Sequence, residues 1–532
     1  PDGGAVVYSG DVGGIRKLFV KRIGGPEAEQ LTVGDRDDVQ PAWSPDGRQI
    51  VFVRAREPRR RIEPGDVFAA YESDAGDVWS IDLASHREER LVENAFYPDF
   101  SPDGRSIAVD ASRGGPRRIW IMDVHGLNPQ QATTDSSEAV AHIAPRWSPD
   151  GRRIVYQRIE RTRFDVAVVD LASRQSITVT RDVYRKINPV WARDGHAIYY
   201  SSDAGGGMNV WRLPIDEASR PSAPAQQLTS GAGQDLQVAV APDGNRLVYA
   251  TLHQNADLWR LPVTPQGAVV GVPEPLVATT REDSRGEWSP DGRQVAFNSD
   301  RAGPMNVWIH SLATGTNRQV TSGPGGDFQP SWSPDGRLLA FFSSRGGQTE
   351  TDIWTVDIGT GVLSQLTRNR SIDINPFFSP DGRDIVFQSD ASGRLELWLM
   401  RTDGSSLRQL TRIGATGHFV RWRADGFIYF RSPSSTGLLR VSPTGGEPRV
   451  VAADVGSHMS FSPDGERYVD VKGHKVLSLY AKRGAPRKLF EFEDAEVRID
   501  YPVWSPDGRS LLFDRFRPNG GDLWMLQRPP AN

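Results

Sequence analysis

The strongest constraint on this chain is a six-residue phrase that keeps returning. Trp43-Ser44-Pro45-Asp46-Gly47-Arg48 has near-copies along the whole sequence. Aligned on the Asp-Gly pair, they fall at Asp2, Asp46, Asp103, Asp150, Asp194, Asp243, Asp291, Asp335, Asp381, Asp425, Asp464 and Asp507. These twelve copies lie 39 to 57 residues apart, mostly 43 to 49, the period of one four-stranded β-propeller blade.

Each copy sits in a similar unit. From Gly326 it runs GDFQPSW, SPDG, RLLAFFSS, a polar Gly-rich hairpin, DIWTVD, a short turn and SQLT. The apolar residues form short β-branched and aromatic runs bounded by Gly, Pro, Asp and Ser, without helical period, which predicts four strands per unit. The phrase itself follows from turn chemistry. Pro presets φ at about −65°, Asp accepts from nearby backbone N–H groups, and Gly takes the positive φ that reverses the chain. The Trp before it is expected to pack between blades, with the stem of the following Arg laid over its ring. No substrate is needed to explain it.

Composition narrows the partners. Of 532 residues, 38% are hydrophobic and 9% aromatic, enough for a core, while 53 Gly and 38 Pro favour turns over long helices. A formal net charge of −4 leaves no basic excess to neutralise a phosphate backbone, so no nucleic acid is expected as partner. The chain has no Cys, which excludes disulfides and thiolate chemistry. No run approaches 18 apolar residues, and no membrane insertion by this chain is expected.

PSWSPDGRLLAFFSS, DIWTVD and SQLT, repeated along essentially the whole chain, resemble the TolB-like family of β-propellers. The resemblance implies blades of mostly six-bladed rings, as in the periplasmic protein TolB, in propellers of prolyl-oligopeptidase-type and tricorn-type proteases, and in sensor regions of bacterial kinases and transcription regulators. It implies a fold, not a task.

The expected architecture is all-β with twelve four-stranded blades. Two tandem six-bladed propellers, at 1–280 and 281–532, are favoured over one twelve-bladed ring, whose wide central hole blade side chains would not fill. The first blade is expected to be incomplete, and the last, ending at RPPAN, to lack its outer strand. Upstream sequence would supply that strand, with room for a fused upstream domain.

Catalytic motifs are missing from the sequence: there is no GxSxG elbow, no GxxxxGK[ST], no HExxH and no kinase catalytic loop. Among the nine His, His142, His418 and His458 lie three to five residues before the aromatic that closes the innermost strand, and read as hydrogen-bonded loop histidines rather than metal ligands. No catalytic residue, cofactor or metal is therefore assigned.

Five repeats share an acid five residues before that aromatic: Asp38, Asp235, Asp283, Asp327 and Asp373. Strict strand alternation would place these acids around one mouth of the central channel, while capping of backbone N–H groups is the competing role. Repeat 5 departs from the pattern with Lys186, beside Arg185. Repeat 2 carries the largest insertion, in which Arg54, Arg59, Arg60, Arg61, Phe68 and Tyr71 supply residue types common at interfaces. These residues, with His418 and His458, are the expected partner or ligand contacts.

The reading that follows is a non-enzymatic module binding a protein, a peptide or a small extracellular ligand, in the bacterial periplasm or another extracytoplasmic place. Alternatives are the sensor region of a larger signalling protein and the propeller of a peptidase or a His-metal lyase.

Overall fold

The computed structural model describes residues 1–25, 27–58, 76–160, 163–205, 207–231, 233–346, 350–453, 455–456, 458–481, 485–494 and 497–527. Arg59, Arg60, Arg61, Phe68, Tyr71 and the side chain of His418 lie outside the described residues.

Every regular element among the described residues is a β-strand. Nine repeats each form a four-stranded antiparallel sheet in chain order, as in Asp327–Trp332, Leu338–Ser343, Asp352–Asp357 and Leu363–Gln365. Repeat 1 contributes three strands, Ala5–Val12, Ile15–Arg22 and Ala28–Gln30. Repeats 6 and 12 each contain one long strand, Arg246–Pro262 and Ser510–Gln527. The repeats thus fold as twelve propeller blades, as the period predicts.

The core lies between neighbouring sheets. In six repeats the middle of the second strand sends a phenylalanine ring into it: Phe52, Phe297, Phe341, Phe387, Phe430 and Phe513 are fully buried. Phe341 packs with Trp332 and Leu339 of its own blade and with Ala296 and Val307 of the one before. Each such ring contributes about 1.5–3 kcal/mol of burial. In two repeats the closing Trp also ties blades together: Trp191 Nε1 donates to Arg146 O at 3.2 Å and Trp332 Nε1 to Glu287 O at 3.1 Å.

The repeated turn is closed on itself. Ser44 Oγ donates to Asp46 Oδ1 at 2.6 Å and accepts the Gln49 N–H at 2.9 Å. Asp46 Oδ1 accepts the Arg48 N–H at 3.1 Å, and Gly47 sits at φ 73°. The same Ser–Asp bond recurs at Ser101, Ser148, Ser289, Ser333, Ser379, Ser462 and Ser505. That hydroxyl holds the Asp46 carboxylate below its ordinary pKa.

The innermost strands carry a second recurrent device. Three residues before the closing position, the backbone is left-handed at Gln40, Tyr97, Ala144, Asn188, Gln237, Arg285, Gln329, Asn375 and Tyr501, with φ from 49° to 57°. Pairing slips by one residue there. In repeat 2, Val39 faces Val53 but Ala42 faces Val51, which is a β-bulge. A non-Gly residue in this conformation costs roughly 1–2 kcal/mol. A hydrogen bond from its N–H to the blade before offsets this: Ala144 to Asp110 at 3.0 Å, Gln329 to Asn298 at 3.0 Å, Arg285 to Asp514 at 2.9 Å.

The chain divides into two compact units, one of Pro1–Leu252 with the stretch from Gly521, the other of His253–Gly520. The division falls inside the two long strands, not near residue 280. Most repeats break between their second and third strands at a Gly-containing hairpin such as SSDAGGG, but LHQNAD after Thr251 has no Gly or Pro and runs straight through.

In the second unit the innermost strands touch in the order Asp283–Trp288, Asp327–Trp332, Asp373–Phe378, Thr416–Trp422, His458–Phe461 and Arg498–Trp504, and the last returns to the first. The Arg285–Asp514 bond lies at that return, and it is the inter-blade bond used elsewhere between successive repeats. In the first unit the order is Asp38–Trp43, Ala95–Phe100, Val140–Trp147, Lys186–Trp191 and Gln234–Val240, with Ala5–Val12 packed on the first of these.

Candidate binding site at the centre of the blades

The bulge decides which side chains reach the middle. The extra residue inverts the alternation between the fifth position before the aromatic and the first, so the five shared acids do not face the channel. They are 0–2% exposed and held from the side. Asp38 takes Lys17 at 3.1 Å and Arg54 at 2.6 Å; Asp235 takes Thr251 at 2.7 Å; Asp283 takes Thr279 at 2.7 Å and Arg301. Asp327 takes Ser343 at 2.6 Å and Arg345, and Asp373 takes Asn369 at 3.1 Å. They brace the blades, each tying strand ends or loop together.

The other expected contacts are placed as follows. Arg54 is mostly buried, reaching Glu88 at 2.5 Å besides Asp38 and stacking on Trp79, so it belongs to the bracing and not to an interface loop. Lys186 occupies the acid position of repeat 5 and is 1% exposed; its ammonium bonds to Asp182 and to Tyr184 O at 2.6 Å. Arg185 is exposed and pairs with Asp203 at 3.0 Å. His458 is buried, with Nδ1 2.5 Å from Asp500 Oδ1.

The third and first positions before the aromatic point inward instead. In the first unit, Gln40, Ala42, Tyr97, Asp99, Ala144, Arg146, Asn188, Val190, Gln237 and Ala239, two from each of repeats 2 to 6, line one central cavity of ≈ 520 Å³. Asp99 accepts the Trp147 N–H at 2.8 Å; burial raises its pKa while Arg146 opposes the rise. Arg146 and Arg193 also line this space, and neither forms a salt bridge among the described residues.

In the second unit the same positions hold Glu287 of repeat 7 and Arg421 of repeat 10, 3.4 Å apart. With six blades in that cycle these two stand opposite, so the pair spans the middle. Arg421 lies 4.0 Å from the Phe377 ring centroid. Burial pushes the Glu287 pKa up and that of Arg421 down, each opposed by its partner. Nearby, Asp500 accepts from His458 and His474 on its two oxygens, and Tyr501 lies between the His458 ring at 3.8 Å and the Arg285 guanidinium at 3.4 Å. Burial favours protonation of Asp500, but the two imidazoles outweigh it and bring its pKa down to about 2. Among the described residues no group of three or more His, Asp or Glu is disposed to hold a metal ion.

Asp99, Arg146, Glu287 and Arg421 escaped the sequence reading, although a signal was present. That position is Ala42, Val190, Ala239, Ser331, Ser460 or Val503 in six other repeats, and a charge there is a departure.

An all-β chain of twelve such blades belongs to the propeller class. A profile of the TolB beta propeller domain matches residues 136–261 and 273–507, and the chain belongs to that family. It is 29% identical over 273 residues to the uncharacterized protein Atu1656 of Agrobacterium fabrum, covering 48% of this chain and 83% of that one. It is 21% identical over 229 residues to a Protein TolB homolog of Protochlamydia amoebophila, covering 41% of this chain but only 47% of the relative. The crystal structure of TolB from Acinetobacter baumannii aligns at 20% identity and a TM-score of 0.36, over 60% of this chain and 78% of that one.

Proposed function

We propose that the chain is a non-catalytic binding module built of two tandem six-bladed propellers, which takes a protein or peptide partner at the central cavity of its first unit. The observation that carries this is the convergence of ten bulge-positioned side chains on that cavity. The turn, the core rings and the bracing recur from blade to blade, but these ten differ, which is the form of a recognition surface on a fixed frame. Arg146 and Arg193 against Asp99 bias the cavity toward acidic groups, and the Tyr97, Trp147 and Trp191 rings supply apolar contact. Five whole repeats in each unit, with parts of repeats 6 and 12, support the tandem arrangement. Resemblance to TolB supports an extracytoplasmic setting in the bacterial envelope.

A photo-crosslinking residue placed at Asn188 or Gln237 tests the site. Exposed to envelope extract, it should yield one discrete adduct that is lost in Arg146→Ala/Arg193→Ala. A control at Ser85, on an outer turn, should yield none. Equal adducts at all three positions, or none at any, would sink the reading.

A further inference from the structure

We propose that a cleft on repeat 4 of the first unit, away from the central cavity, binds a small anionic ligand through a phosphate or carboxylate group. The cleft measures ≈ 440 Å³, within the range of roughly 300–1,000 Å³ usual for small-molecule sites.

Its lining is unevenly satisfied. His142, on Val140–Trp147, is 1% exposed, and neither ring nitrogen has a hydrogen-bond partner among the described residues. Asp135 Oδ2 stands 3.8 Å from its Nε2, beyond hydrogen-bond reach. A buried polar group left in this state is costly, and in native proteins it calls for a partner.

The acids of the cleft do not provide one, because they are already engaged. Arg158 holds Glu160 at 2.7 Å and Asp135 at 3.4 Å, while Arg163 holds Asp165 at 2.5 Å. The cations are not used up. Arg174 and Arg181 also line the cleft, and neither pairs with any described residue. The surplus at the site is two guanidiniums at its edge and an unsatisfied imidazole on its wall. Guanidinium forks match the geometry of phosphate and carboxylate oxygens, and the imidazole adds a donor for the same group or for a neighbouring hydroxyl.

The groups facing His142 are Arg118 from repeat 3, Arg158 and Tyr156 from its own blade, and Asp135 from the preceding loop. Burial first, and Arg118 next, push its pKa down to about 3, with Asp135 opposing. The free site therefore holds a neutral ring, and an added negative charge moves its titration upward.

The whole chain is titrated with inorganic phosphate and, separately, with malate, by calorimetry and by NMR of the His142 ring. Saturable binding of one probe, weakened at least tenfold in Arg174→Ala/Arg181→Ala and accompanied by a shift of the His142 resonances, is expected. Which probe binds names the source of the charge. Arg87→Ala, an exposed substitution on repeat 2, should bind as the parent does. No saturable binding of either probe, or binding untouched by the double substitution, overturns the proposal.

Discussion

Replacement of Asp514 separates two accounts of how the second unit closes. The side chain is 0% exposed, and its two oxygens accept the Arg285 N–H at 2.9 and 3.1 Å. If its work is to accept, Asp514→Asn keeps a carbonyl in place and changes little, whereas Asp514→Ala strands a buried N–H in a strained residue. That loss costs about 1–3 kcal/mol. Amide hydrogen exchange at Arg285 reads it locally, which matters in a chain of two units where a single unfolding energy is ill defined. The Ala variant should exchange roughly 5- to 150-fold faster, and the Asn variant nearly as the parent. Acidity gives a second check. Burial raises the Asp514 pKa well above the ordinary carboxylate value, Arg285 opposes, and Asp500 and Glu282 add to the rise. The folded state then keeps a proton that the unfolded state has released. Stability attributable to this group falls as pH rises from the ordinary carboxylate range through the raised value, by up to about 1.4 kcal/mol per pH unit. Asp514→Asn should flatten that fall. Equal exchange in the Asn and Ala variants would refute the reasoning, because it would show that charge, not acceptance, holds the joint.

The bracing acids should behave in the opposite way. Asp38→Asn leaves the Lys17 ammonium, itself 2% exposed, short of its counter-charge, so a loss of about 3–5 kcal/mol is expected in denaturant titration of the first unit; a loss under about 1 kcal/mol would contradict the assignment. Ala144 holds φ 52°, and Ala144→Gly should stabilise the first unit by about 1 kcal/mol or less in thermal unfolding, with destabilisation counting against strain there. Asp500 holds the His474 pKa above its ordinary value. The stability from His474 is therefore complete below the unfolded imidazole pKa and lost as pH rises through the raised one. NMR titration of His474 in Asp500→Asn should show the midpoint falling, and an unmoved midpoint would remove the pair.

The sequence carried the fold because each blade writes its turn in full. Ser44, Asp46 and Gly47 specify their geometry by local chemistry alone, and their repetition counts the blades. The bulge is not written that way. Tyr97, Ala144 and Asn188 share no residue type, since the conformation is held by a hydrogen bond from each N–H to a side chain of the neighbouring sheet. Period-two reasoning therefore carried Asp38 to the channel when the chain turns it into the blade edge. The long strands were hidden for a related reason: a hairpin announces itself by Gly, and a strand that continues, as at LHQNAD, announces itself only by what it lacks.

The bulge also separates two kinds of departure from the repeat. A change five residues before the aromatic lands where strand ends must be braced, so Lys186 answers Asp182 internally and offers nothing to a partner. A change one or three residues before it lands in the middle, where no neighbour in the blade dictates the choice. Charge at the inner positions is free to vary, and the two units use it differently. In the second unit Glu287 and Arg421 neutralise one another across the centre at 3.4 Å; in the first, Arg146 lines a cavity of ≈ 520 Å³ without an ion-pair partner among the described residues. Closing a centre with its own ion pair consumes the groups that would recognise a ligand. Recognition of a partner is therefore expected at the centre of the first unit, and removing the plug with Glu287→Ala/Arg421→Ala should leave the adducts formed at Asn188 unchanged.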